Sequence, residues 1–212
     1  PIQETLYAGT GGLEGGTDLE NLPKPLCFGA PRNISPVLVD RTNLIYQVHD
    51  GSIEGVDGVF DGALALTPAG DVADITATSV SAGQNKTQLS GGYIRLGAEP
   101  AKGLTADVRG DNAGGYVDTA ADVVERIVLG YTTLTSEDLN AQSFSDTNVA
   151  NSAKVHWYGN SGDVAEIIGQ IMDSVGGSYV FNRAGELVLG VFAFGSPVGT
   201  VGRNDIINLQ RV

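Results

Sequence analysis

The sequence predicts an α+β fold that is predominantly β: a short-strand, β-rich region followed by a region of amphipathic helix and β-hairpin. Residues 1–115 hold many short apolar runs broken by Gly, Pro, Asn and Asp, the pattern of strands and turns. Residues 116–212 change character, with apolar residues recurring at helical period. The strongest helical stripe runs straight into two strand-like segments joined by a Gly-containing turn.

In chain order, the Gly-rich opening, Gly9-Thr10-Gly11-Gly12-Leu13-Glu14-Gly15-Gly16, reads as an ordered loop or a flexible arm. Strands are expected over 26–29, 36–39, 44–48, 56–60, 93–96 and 104–108. A helix is expected over 119–129. Thr119 can cap it, Asp122 follows three residues on, and Gly130 follows its end. Val123, Val124, Ile127 and Val128 fall on one face of it.

A second helix is expected over 163–175. Asp163 and Glu166 have the spacing of an N-terminal cap. Val164, Ile167, Ile168, Ile171, Met172 and Val175 form one broad apolar stripe, and Gly176-Gly177 stops it. Strands 178–181 and 186–192 then form a hairpin around Asn182-Arg183-Ala184-Gly185, with Gly185 suited to the left-handed position of a bulged loop. One helix and one hairpin cannot bury both faces alone, so this unit must pack on the first region or on a neighbour. A last strand is expected at Ile206-Ile207-Asn208-Leu209; with Pro1 at the start, this is compatible with a piece of a longer protein.

Composition narrows the function. With 212 residues the chain can bury one large core or two small ones. Its net charge of −13 argues against a nucleic-acid footprint, which needs clustered Lys and Arg, and against docking on an anionic membrane. No signal peptide or membrane-spanning run is visible. Only 17% of residues are charged, which fits either a surface partly covered by partners or a Gly- and Thr-rich β-protein that needs few charges. Cys27 is the only cysteine, so no intrachain disulfide or Cys-based zinc site can form. Between Leu26 and Phe28 it reads as a small buried hydrophobe.

No catalytic, cofactor-binding or metal-binding residue is assigned. His49, at a strand end, and His156, inside an expected strand, are the only histidines, and neither has a second histidine at metal spacing. Both read as structural or surface residues. The carboxylates Asp50, Glu54, Asp57 and Asp61 do not match a Ca²⁺ loop and read as turn and solvent-face residues. A loosely held Ca²⁺ or Na⁺ there is compatible with that reading. The Gly-rich start lacks the strand, helix and Gly-Lys-Ser/Thr ending of a phosphate loop. Arg109-Gly110-Asp111 is a tripeptide that some adhesion receptors read, but here it has the look of a strand exit. Asn33-Ile34-Ser35 and Asn85-Lys86-Thr87 match the glycosylation pattern without a secretory signal to support it.

An ordered series of segments carries a resemblance. Leu6-Tyr7-Ala8-Gly9-Thr10-Gly11-Gly12-Leu13-Glu14-Gly15 is followed by Lys24-Pro25-Leu26-Cys27-Phe28-Gly29 and Asn33-Ile34-Ser35-Pro36-Val37-Leu38-Val39-Asp40. Then come Ile45-Tyr46-Gln47-Val48-His49-Asp50-Gly51, Arg95-Leu96-Gly97-Ala98-Glu99-Pro100 and Gly103-Leu104-Thr105-Ala106-Asp107-Val108-Arg109-Gly110-Asp111. The series resembles bacteriophage and prophage tail proteins of the tail-tip or baseplate-hub kind, and the helix and hairpin over 164–189 resemble a unit recurrent in them. The resemblance implies a structural virion protein, made in the bacterial host cytoplasm and placed in the tail. It implies contacts with other phage tail proteins and a homo-oligomer, a trimer where the hub is a threefold ring. Its motifs are structural, so it implies no enzyme and carries over no catalytic residue. The alternative is a tail-associated carbohydrate-binding or peptidoglycan-degrading domain. That would need paired carboxylates or an aromatic platform, for which Trp157, Tyr158 and Tyr179 are the candidates. Their apolar strand settings favour core packing instead.

Overall fold

The computed structural model describes residues 1–192. The expected strand at Ile206-Ile207-Asn208-Leu209 lies outside the described residues. The fold is α+β with more strand than helix, the β-rich region coming first.

In chain order the strands of the first region are β1 (Leu26–Gly29), β2 (Val37–Asp40), β3 (Ile45–Gln47), β4 (Ile53–Asp61), β5 (Leu64–Ala65), β6 (Thr67–Asp71), β7 (Gln84–Gln88), β8 (Tyr93–Leu96) and β9 (Leu104–Asp111). Helices α1 (Ala120–Tyr131) and α2 (Ala141–Ala150) follow, then β10 (His156–Gly159), α3 (Val164–Ser174), β11 (Gly177–Phe181) and β12 (Leu187–Val191). Five strands form one sheet in the order β2-β3-β8-β7-β6, in which only the β6–β7 pair is parallel. Three more form β5-β4-β9. β1 pairs with β10, and β11 with β12, each antiparallel.

β4 runs from Ile53 to Asp61, beyond the expected 56–60, because its glycines make room for side chains crossing the strand. A Cβ on Gly55 would stand 2.4 Å from the Arg109 guanidinium, and one on Gly58 would stand 2.8 Å from the Phe60 ring. β9 likewise continues to Asp111, so Arg109-Gly110-Asp111 is strand and not strand exit.

Thr119 is the N-cap residue of α1, but its side chain makes no capping bond to the backbone. Its hydroxyl instead donates to the Asp122 carboxylate at 2.6 Å. The helix passes through Gly130 and ends at Tyr131. Asp163 does cap α3, its carboxylate accepting the Ala165 N–H at 2.8 Å. The hairpin turn is closed by Asn182, whose side-chain oxygen accepts from Ala184 at 2.8 Å and Glu186 at 3.0 Å, and Gly185 takes a φ of 88°. Only Gly adopts that φ without strain.

The apolar residues segregate into two main cores. Ile34, Val48, Ile53, Val59, Ile94, Leu96 and Val108 build one between the sheets. The stripes of α1 and α3, with Phe144, Leu187 and Leu189, build the other. β1 serves both: Leu26 and Phe28 face the helical core while Cys27 faces the sheet core, and all three are fully buried. Side chains on a strand alternate between faces, so four residues can insert between two cores and join them.

Candidate functional site

Two places stand apart from ordinary packing: a buried polar junction between the cores and the outer edge of the hairpin.

The junction centres on His49, just past the end of β3 and 1% exposed. Its Nδ1 accepts the Cys27 backbone N–H at 3.0 Å, so the ring proton sits on Nε2. Nε2 lies 3.3 Å from the Asp111 carboxylate at the end of β9. Asp111 also receives the Arg126 guanidinium from α1, and Arg126 reaches the Gly115 carbonyl at 2.9 Å. Phe28 meets the imidazole edge to face. Burial opposes ionisation of Asp111, but the hydrogen bond from His49 and the nearby Arg126 charge outweigh it and hold its carboxyl below the usual range. Burial, reinforced by Asp111, pushes the Cys27 thiol up to about 12, so it stays protonated and unreactive at neutral pH. The cluster is a clasp. It ties β1, the turn after β3, β9 and α1 together and satisfies each buried polar group it contains.

The other residues singled out in the sequence are scaffold as well. His156 is exposed on β10. Glu54 and Asp57 both bind Arg109, at 2.9 Å and 3.0 Å, and Asp57 also neighbours Arg32. Asp50 accepts from Gln3, and Asp61 accepts the Ala101 and Lys102 N–H groups. Asp111 is buried in the clasp, so the Arg-Gly-Asp tripeptide does not present its carboxylate to a receptor. Asn85 is buried, with its amide directed at the Leu66 carbonyl, which removes it as a glycan acceptor in the folded chain. Trp157 and Tyr179 pack on the helical core, and Tyr158 packs on the sheet core with its hydroxyl on the Ser35 carbonyl at 3.0 Å. The three aromatics therefore face different cores and form no common platform. Among the described residues no group of three or more His, Cys, Asp or Glu is placed to hold a metal. No helix among them is long and apolar enough to cross a membrane.

The hairpin is the second place. Glu186 accepts Asn182, and Phe192 donates to Gly176, which sets the ladder so that Ser178 and Val180 bond inward to β12. The free backbone groups of β12 face α2. Asn140 donates to the Leu187 carbonyl at 2.9 Å, and the Leu189 N–H reaches the Ser143 hydroxyl at 3.2 Å. That edge is closed. On the other edge the N–H and C=O of Gly177, Tyr179 and Phe181 have no hydrogen-bond partner among the described residues; of the three, Gly177 is buried, Tyr179 half-buried and Phe181 exposed. On the same strand Val180 is 59% and Phe181 56% exposed. Phe181 also borders a cleft of about 260 Å³ with Val128, Leu134, Val164, Ile168 and Tyr179. The requirement that this unit pack on something was legible in the sequence. Which edge stays open was not, because α2, which closes the other, has almost no apolar stripe to announce it: only Phe144 and Thr147 are buried.

Comparison of the chain with protein-family models, with curated proteins and with solved structures finds no match.

Proposed function

We propose that this chain is a structural subunit of a bacteriophage or prophage tail, near the tip or baseplate hub, and that it acts through protein–protein assembly. The observation that carries the assembly part is the hairpin: one edge is closed by α2, and the other is uncharged and, among the described residues, leaves the backbone of Tyr179 and Phe181 without partners, with Val180 and Phe181 in solvent. An open, apolar strand edge is an aggregation hazard in a solitary protein and a docking surface in an assembly. Supporting it, the carboxylates that hydrolytic chemistry would need are engaged in holding turns and strands. The tail itself comes from the series of segments between Leu6 and Asp111 that resembles tail-tip and hub proteins. A specific antibody imaged on particles tests the reading. Label at one end of the tail is the expected result; label on the capsid, or on no part of the particle, overturns it.

A further inference from the structure

We draw no further inference here: the strongest candidate, the apolar cleft of about 260 Å³ between α1, α3 and the hairpin, carries nothing because nothing in the structure shows what covers it.

Discussion

The sheet region and the helical region solve the same problem differently. In the first, charge and backbone are consumed internally: Arg109 spans Glu54 and Asp57, Arg32 joins Asp107, and Arg95 holds the Ile75 and Thr76 carbonyls. In the second, two apolar helical stripes make the core, and among the described residues only one edge of the hairpin has backbone partners outside it. A network of turns can satisfy its own polar groups residue by residue. A two-stranded sheet always has two edges, and α2 covers one. The contrast teaches that the sheet region is ordered largely by ion pairs and side chain–backbone bonds between distant turns, whereas the helical region is ordered by buried apolar stripes.

The comparison breaks most readily at the helical core. Ile168→Asp should cost about 3 kcal/mol or more, by placing an unpaired charge among Ile167, Ile171 and Leu187. A denaturant melt measures it; an unchanged midpoint would show that the α3 stripe is not buried. Because β1 belongs to both cores, the loss should appear as one transition, with Trp157 fluorescence and far-ultraviolet dichroism coinciding. Two separated transitions would show that the cores melt independently.

The clasp joining the regions should come next. Asp111→Asn leaves Arg126 without its carboxylate and should cost about 2 kcal/mol, short of the full penalty for breaking a buried pair because Arg126 is partly solvated. The sign of the pH effect follows from the lowered pKa of Asp111. A carboxyl depressed in the folded state stabilises it above the ordinary carboxylate range, about 4, and that contribution fades as pH falls through the folded value. Stability of the parent chain should therefore drop in acid more steeply than that of Asp111→Asn. Parallel acid limbs would contradict the assignment.

A smaller effect sharpens the account of the closed edge. Asn140 caps α2 by accepting the Ser143 N–H at 3.1 Å, and it donates to Glu186 at 3.0 Å. Asn140→Ala should cost about 1 kcal/mol, and hydrogen exchange should quicken at the Leu189 amide, whose Ser143 partner sits in the first turn of α2. The smallest change is expected at Arg183→Ala, within roughly 0.5 kcal/mol of the parent in a melt, since its side chain is exposed on a turn. A larger loss there would show that the turn depends on Arg183 in the isolated chain.

Local pattern made much of the fold legible. The strands at 26–29 and 93–96, the helix capped by Asp163, and the hairpin turn with Gly185 all follow from residues close in sequence. The polar strand β7, Gln84–Gln88, was not legible, because only Asn85 in it is buried and its place comes from pairing with β6 and β8. Nor was α2: Ala141–Ala150 is a polar segment held by its Asn140 cap and by contact with β12. For the candidate site, the hairpin could be read from alternation and turn chemistry, whereas its open edge depends on which neighbour arrives at the other one. The histidine reading follows the same division. That His49 has no metal-spaced partner is a fact of the sequence, but its clasp assembles Cys27, Asp111 and Arg126 from three distant segments.

By itself the sequence determined the α+β class, the periodic helices, the turns and the lack of a local catalytic pattern, because periodicity, capping and turn preference act over a few residues. Tertiary structure alone decided that β1 would insert between two cores, that Asp111 would bury its charge against His49 and Arg126, and that α2 would close one edge of the hairpin. Those outcomes depend on which distant surfaces meet, and burial, not local preference, sets the energy of that choice.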